Sequence, residues 1–157
     1  MRTCFKWILL ALVAAWGLLQ LANPSRVNPP AKNNFPIANA PPEIAARLRA
    51  ACYDCHSDET RWPWYSHIAP VSWLIASDVQ RGRRHVNFSD WPTNSVTAAR
   101  KLEDMSEEID YGDMPLKKYT LIHADARLTA VQRKELENWL DAQAAELKTQ
   151  AARTNSP

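Results

Sequence analysis

The chain has very few glycines, and this scarcity excludes one large group of ligand sites. Only three glycines occur among its 157 residues. They form neither the G-x-G-x-x-G pattern of dinucleotide-binding folds nor the G-x-x-x-x-G-K-[ST] pattern of a phosphate-binding loop. We therefore do not expect a nucleotide cofactor held by successive backbone N–H groups.

The chain also lacks an excess of charge of either sign. Its formal net charge is +2, and its first 22 residues contain Arg2 and Lys6 but no acidic residue. The rest of the chain therefore has 17 basic and 17 acidic residues. Because nucleic-acid binding relies on a strong positive field, we expect no nucleic-acid partner.

Alternation of apolar and polar residues, the pattern of a half-buried strand, is missing as well. Apolar residues instead recur at helical spacing in segments that start near positions 42, 70, 95 and 129, the last with a Thr129-x-x-Gln132 capping box. The second segment is expected to end near Gly82 and the third at Gly112. The predicted inward faces are Ile44, Leu48, Cys52 and Cys55; Val71, Leu74, Ile75 and Val79; Ala98, Leu102, Met105 and Ile109; and Leu136, Trp139, Leu140, Gln143 and Leu147. This periodicity predicts an all-α domain over residues 42–150.

One long apolar run is present, at positions 7–19, directly after Arg2 and Lys6. A basic start followed by an apolar stretch is typical of an export signal, so residues 1–22 are predicted to be a signal anchor or a signal peptide. We favour the anchor, because the small-x-small pattern of a cleavage site is poor there.

The segments on either side of the predicted domain have a different composition. Residues 23–42 contain six prolines, so residues 23–41 are predicted to be an extended linker, with an arm packed on the domain as the alternative. Residues 151–157 are polar and are predicted to be a disordered tail.

Cysteine is rare too, and two of the three cysteines lie in CYDCH, residues 52–56. Cys4 precedes the apolar run and is interpreted as an incidental thiol. A thioredoxin-like thiol pair would open a helix after a strand, whereas Cys52 and Cys55 end a predicted helix. A structural zinc ion would need a fourth ligand from His67, His85 or His123, and no second C-x-x-C motif is present.

Covalent haem attachment requires the residue types that CYDCH contains. Two thiols must reach the two vinyl groups on one edge of the porphyrin, and the next imidazole must reach the iron. On a helical turn Cys55 and His56 are three and four residues after Cys52, so all three side chains address one face. C-x-x-C-H is the c-type haem attachment signature. We therefore predict thioether bonds at Cys52 and Cys55 and an axial iron ligand at His56.

Residues 51–91 contain ACYDCHSDETRWPWYSHIAPVSW and resemble a bacterial haem-binding domain family of single-haem, c-type cytochrome-like proteins. GDMPLKKYTLIHADARLT, residues 112–129, fits the same family, and the resemblance spans about residues 42–145. It implies one covalent haem c. The domain is also similar in outline to class I cytochromes c, in which the haem motif ends the first helix, a methionine lies in a later loop and the last helix is amphipathic. The expected fold is thus a small cytochrome c-like helical domain around one haem.

Iron held by His56 has one further axial position, for which Met114 is the predicted ligand. Met114 lies in a Gly-Asp-Met-Pro loop, and a thioether is a soft neutral ligand that raises the reduction potential. His123 is the main rival, followed by His67 and His85, whereas Met105 is assigned to the core. One propionate contact is expected from a set of aromatic and basic residues: Trp62, Trp64, Tyr65, Trp73, Arg61, Arg81, Arg83 and Arg84. Asn87, Phe88 and Trp91 are given structural roles.

The predicted function is one-electron transfer by a monohaem cytochrome anchored to the bacterial inner membrane and facing the periplasm. If the signal is cleaved, the protein would be soluble in the periplasm. We expect a redox partner protein, no small-molecule substrate and no enzymatic activity. The alternative is a haem-based sensor or ligand-binding module with a labile sixth ligand.

Overall fold

A computed structural model describes residues 2–154, and within this range the all-α prediction is confirmed. No strand forms there, and one isolated bridge pairs Asn33 with Asp90. The helices are α1 (Arg2–Leu19), α2 (Pro42–Ala51), α3 (Tyr53–His56), α4 (Val71–His85), α5 (Ser95–Asp110), α6 (Lys117–Ile122) and α7 (Ala130–Thr154). Short 3₁₀ turns lie at Gln20–Ala22, Ile37–Asn39, Trp64–His67 and Ala124–Ala126.

Helices α5 and α7 pack along their length and form the centre of the core. Leu102 of α5 and Leu136 and Leu140 of α7 are fully buried, as their periodicity predicted. The capping box is confirmed at the start of α7, where the Gln132 amide donates to the Thr129 hydroxyl at 3.2 Å and the Gln132 side chain accepts from the Thr129 amide at 2.9 Å. At the end of α5, Gly112 has a φ of 77°, a conformation that glycine adopts without strain.

The predicted first helix is divided into two at the first cysteine of the motif. Cys52 separates α2 from α3 with φ −123° and ψ −40°, so the apolar face from Ile44 to Cys55 is not continuous. The amides of Cys55 and His56 nevertheless donate to the Cys52 carbonyl, at 3.2 and 2.9 Å. The motif therefore keeps the single helical turn on which the attachment geometry depends.

The prediction for α4 is wrong in two respects. The helix does not end near Gly82 but continues to His85, and its buried residues are Ser72, Ala76, Val79 and Gly82. Val71 and Leu74, predicted to face inward, are 40% and 59% exposed. The buried face is made of small residues because α4 packs closely against α3.

The proline-rich segment is extended, but it packs on the domain as an arm rather than standing free. Its amides at Lys32 and Phe35 donate to the carbonyls of Ser89 and Phe88, at 2.9 and 2.7 Å. The Phe35 ring is buried against Phe88 and Trp91. The docked arm, considered as the alternative from the sequence, is what the structure contains.

Helix α1 is long and apolar enough to cross a membrane, over Arg2–Ala22, and none of its residues is buried. At the other end of the chain, α7 continues through the first four positions of the predicted tail. Position 1 of the predicted signal segment and positions 155–157 of that tail lie outside the described residues.

Candidate functional site

The turn that carries the motif is fixed by its own central aspartate. Asp54 is buried and accepts hydrogen bonds from the Arg61 amide at 3.0 Å and from the Arg61 guanidinium at 3.0 and 3.2 Å. The Tyr119 hydroxyl donates to Oδ2 of the same carboxylate at 2.8 Å. Burial alone would raise the pKa of Asp54, but these hydrogen bonds hold it below its usual value. Asp54 thus connects the motif to the following loop and to α6.

Helix α4 closes over the motif where it has a glycine. A Cβ atom at Gly82 would lie 2.5 Å from the Cys55 carbonyl oxygen and 3.0 Å from its carbon. Real side chains do not tolerate contacts of this kind with backbone. Gly82 is therefore the residue that lets the end of α4 reach the turn that carries the C-x-x-C-H motif.

The same close approach orients the His56 ring. Its Nδ1 atom lies 3.1 Å from the Val86 carbonyl oxygen, at the end of α4. A carbonyl only accepts, so Nδ1 carries the proton and Nε2 keeps its lone pair in the neutral ring. Burial also lowers the pKa of His56, which favours that neutral form. This is the arrangement that an imidazole needs in order to bind a metal through Nε2.

Cys52 and Cys55 are free thiols of low acidity. Burial raises the pKa of Cys52 to about 12 and that of Cys55 to about 11. A catalytic redox thiol has a lowered pKa, so this environment argues against a thiol–disulfide switch. Within residues 2–154, no three His, Cys, Asp or Glu side chains cluster as ligands of a metal ion, which argues against the zinc hypothesis.

The motif opens onto a cavity of about 570 Å³, within the range of cofactor sites in proteins. Cys52, Cys55 and His56 form one part of its wall, and Met114 lies on the wall too. Apolar neighbours are Val86, Phe88, Ile109, Pro115 and Leu116. The structure thus brings the four residues predicted from the sequence to one cavity.

The loop that carries Met114 is held at both ends. The amides of Asp113 and Met114 both donate to the Glu108 carbonyl at 3.1 Å, which folds the loop back onto α5. From α7, the Arg133 guanidinium donates to the carbonyls of Ile109 and Met114, at 3.3 and 3.5 Å. The thioether is therefore presented to the cavity by a backbone that contacts two helices.

The alternative iron ligands considered from the sequence differ in whether they line the cavity. His123 and His67 do not line it. The His123 ring is hydrogen-bonded to the Tyr65 hydroxyl at 2.7 Å and stacks on Tyr119. His85 does line the cavity. So does Met105, which the sequence assigned to the core and which is only half-buried. The apolar periodicity of α5 could not distinguish a core face from a cavity wall.

The basic groups around the cavity were only partly anticipated. Of the predicted propionate donors, Arg81 lines the cavity, whereas Arg61 binds Asp54 and Arg83 binds the carbonyl of Ser57 at 2.8 Å. Lys101 and Lys118 also line it and were not predicted. They belong to α5 and α6, and no local signal in the sequence associates those helices with the haem motif.

The sequence comparison identifies the kind of ligand that the domain binds. The family model described as a haem-binding domain matches residues 14–142, most of the chain. The chain belongs to the haem-binding domain family. The search of curated proteins and the search of solved structures found no match.

The residues of this haem-binding domain fit a haem. Two unpaired thiols, an imidazole with a free Nε2 lone pair and a thioether surround one largely apolar cavity. These are the donor types that proteins use to attach haem and to bind its iron. The resemblance noted from residues 51–91 is confirmed by the family match.

Proposed function

We propose that this haem-binding domain is a membrane-tethered monohaem c-type cytochrome that transfers single electrons on the periplasmic side of the bacterial inner membrane. The observation that carries the proposal is the convergence of Cys52, Cys55, His56 and Met114 on one cavity. When bound there, haem would supply one-electron cycling between Fe(III) and Fe(II). We propose an electron carrier and not an enzyme.

Each of the four side chains has a defined task in this proposal. Cys52 and Cys55 would form the thioether bonds, and their neutral thiols are not consumed by a disulfide. His56 would bind the iron through Nε2, with Val86 holding the ring in place. Met114 would occupy the sixth position, which favours electron transfer over binding of an external ligand.

Both cysteines are half-buried and line the cavity, so a haem attached there would have its thioether edge beside α3. In this proposal a redox partner protein exchanges electrons with the haem. The apolar part of the cavity wall would lower the local dielectric around a bound haem, one of the factors by which proteins set its reduction potential.

Helix α1 is the proposed membrane tether. A helix over Arg2–Ala22 matches the thickness of a bilayer, and Arg2 and Lys6 are near one end of it, as expected for the cytoplasmic side. With that end in the cytoplasm, the haem-binding domain lies in the periplasm, where c-type haem is attached.

The deciding experiment is the intact mass of the denatured chain, expressed with a c-type haem maturation system, together with oxidised and reduced visible spectra. We expect the mass of one haem to be added to the chain. That mass should be lost in the Cys52→Ala/Cys55→Ala variant and retained in Cys4→Ala, the matched control, because Cys4 is exposed and does not line the cavity. Wild-type protein without added mass would refute covalent attachment.

A further inference from the structure

A group of exposed apolar side chains lies outside the haem cavity. On the Trp64–His67 turn, Trp64 is 76% exposed. In the first turn of α4, Val71 and Leu74 are exposed, although their periodicity had predicted that they face the core. At the end of α6, Leu121 and Ile122 are 74% and 64% exposed. We call this group the apolar edge: Trp64, Val71, Leu74, Leu121 and Ile122.

Contacts between α4 and α6 show that these residues share one side of the domain. Near the start of α6, Lys118 forms an ion pair with Asp78 of α4 at 2.6 Å. Just beyond the end of α6, His123 is hydrogen-bonded to Tyr65, which precedes α4. The two helices therefore run in opposite directions, and the end of α6 lies level with the start of α4.

The same end of the domain is attached to α1. Trp16 Nε1 donates to the Ala69 carbonyl at 3.2 Å, and Gln20 exchanges hydrogen bonds with the backbone of Ala69 at 2.9 and 3.3 Å. One turn further along, Trp73 Nε1 donates to the Ala22 carbonyl at 2.8 Å. The segment from Ala69 to Trp73 thus lies alongside the last turns of the candidate membrane span.

The dimensions of a bilayer then fix the depth of this segment. A 21-residue helix is about 31 Å long, close to the roughly 30 Å hydrocarbon core. Ala22 then lies at the boundary between hydrocarbon and headgroups, with Gln20 about 3 Å and Trp16 about 9 Å on the hydrocarbon side of it. Ala69, held between the levels of Trp16 and Gln20, lies just inside the hydrocarbon, and Trp73, held at Ala22, lies at the boundary when α1 spans.

We propose that the apolar edge is inserted into the bilayer that α1 spans, at the boundary between hydrocarbon and headgroups. This inference rests on the proposed membrane tether. The occupant is lipid because α1, the neighbour that sets the depth of the edge, is itself the span. Tryptophan is enriched at this level of membrane proteins, and exposed aliphatic side chains gain burial there.

Insertion of the edge would fix how the haem cavity is presented. Asp78 and Lys118 line the cavity, and Asp78 lies one turn of α4 beyond Leu74. The cavity would therefore lie directly above the headgroup layer, with α4 rising away from the membrane. A partner embedded in the same bilayer would meet the domain in one orientation, whereas a loosely tethered domain would rotate freely.

The test uses the full-length holoprotein in phosphatidylcholine–phosphatidylglycerol vesicles, in a Cys4→Ser background with a single spin label. Labels are placed through Trp64→Cys and Leu74→Cys, with Val96→Cys as the aqueous control. Val96 is 46% exposed on α5, a helix whose Lys101 contacts the far end of α4. Accessibility to oxygen and to a water-soluble nickel complex is measured for each label.

We expect the labels at positions 64 and 74 to be shielded from nickel and accessible to oxygen, and the label at Val96→Cys to be accessible to nickel. Equal nickel accessibility at the three positions would overturn the inference. Shielding of positions 64 and 74 from both reagents would also overturn it, since protein rather than lipid would then cover the edge.

A fourth label separates this inference from the proposed tether. Leu10→Cys lies in the middle of α1 and reports membrane insertion of that helix alone. Nickel access at this position would refute the tether and, with it, the inserted edge. A label that is buried in lipid at Leu10→Cys, combined with water-exposed labels at positions 64 and 74, would refute only the inserted edge.

Discussion

The residues at the haem cavity differ in how firmly the chain holds them. His56 is positioned by a carbonyl at 3.1 Å and by the closely packed end of α4. Met114 is carried by a loop and is half-buried, with a second thioether, Met105, elsewhere on the cavity wall. At the scale of single residues, Met114, the proposed sixth ligand, is therefore held less firmly than His56.

Met114→Ala is expected to lower the reduction potential and to open the iron to added ligands. The physical reason is that loss of the thioether removes a neutral ligand that stabilises Fe(II). Redox titration and the visible spectrum of the ferrous protein with carbon monoxide measure both effects. Met105→Ala is the matched control and should keep the wild-type spectrum. Rapid carbon monoxide binding by the wild-type protein would instead favour a sensor with a labile sixth ligand.

Gly82→Ala tests how closely α4 must approach the motif. The added Cβ atom would meet the backbone of Cys55 at 2.5 Å, so α4 must shift away from the attachment turn. Overpacking of this kind costs about 1 to 3 kcal/mol of stability. Urea unfolding measures the loss, with Gly17→Ala as the control because a Cβ atom there has open space. Unchanged stability would mean that the contact between α3 and α4 relaxes without cost.

At the scale of elements, the arm packed on the domain was only the alternative prediction, and its buried aromatic ring is Phe35. Phe35 is 5% exposed, with its ring centroid 4.6 Å from that of Trp91 and 5.3 Å from that of Phe88. The arm also bonds to the domain through Asn33, whose amide side chain donates to the Trp91 carbonyl at 2.7 Å. Removal of the ring therefore affects both the core and the course of the chain towards α1.

Phe35→Ala is expected to destabilise the domain by about 3 to 5 kcal/mol, the usual cost of deleting a buried phenylalanine ring. Urea unfolding gives the magnitude, and limited proteolysis reports whether the arm detaches. We expect faster cleavage within residues 23–34 in the variant. Val27→Ala is the control, since Val27 is on the same arm and 67% exposed. If both variants unfold like the wild type, the arm contributes little to the folded domain.

The elements that the sequence predicted well are those with local signals. The capping box at Thr129, the turn at Gly112 and the C-x-x-C-H turn each depend on residues a few positions apart. Helix α6 was missed because it is six residues long and starts without a side-chain cap. The orientation of α4 and the course of the arm depend on distant partners, Cys55 and Trp91, which no local pattern identifies.

The candidate site likewise contains residues that local sequence patterns predicted and residues that they did not predict. Cys52, Cys55 and His56 were identified by spacing alone, and Met114 by its loop. Lys101, Lys118 and His85 reach the cavity only because α4, α5 and α6 fold around it. The residues proposed to attach the haem and bind its iron are therefore predicted from local sequence patterns, whereas the other residues of the cavity wall depend on tertiary packing.

At the scale of the whole molecule, charge is balanced both overall and around the cavity. The chain beyond residue 22 has 17 basic and 17 acidic residues. The cavity lining contains both basic and acidic residues. The basic residues are Arg81, Lys101 and Lys118, and the acidic residues are Asp78, Asp104, Glu107 and Glu108. Such a surface produces little long-range field, because the fields of opposite charges largely cancel and salt at about 0.1 M screens the remainder over about 10 Å.

This balance predicts how the protein exchanges electrons with small reagents. Anionic and cationic inorganic oxidants of similar size and driving force should oxidise the ferrous protein at rates that differ less than tenfold. These rates should also depend only weakly on ionic strength. The reason is that steering by a strong field changes on-rates by about 10 to 10³, and no such field is expected here. Stopped-flow measurements between low and high salt test this. Arg81→Glu provides the internal control: it adds negative charge at the cavity, so it should slow the anionic reagent and accelerate the cationic one at low salt. A steep salt dependence in the wild-type protein would show that one sign of charge dominates the approach to the haem, and the partner would then be expected to carry the opposite sign.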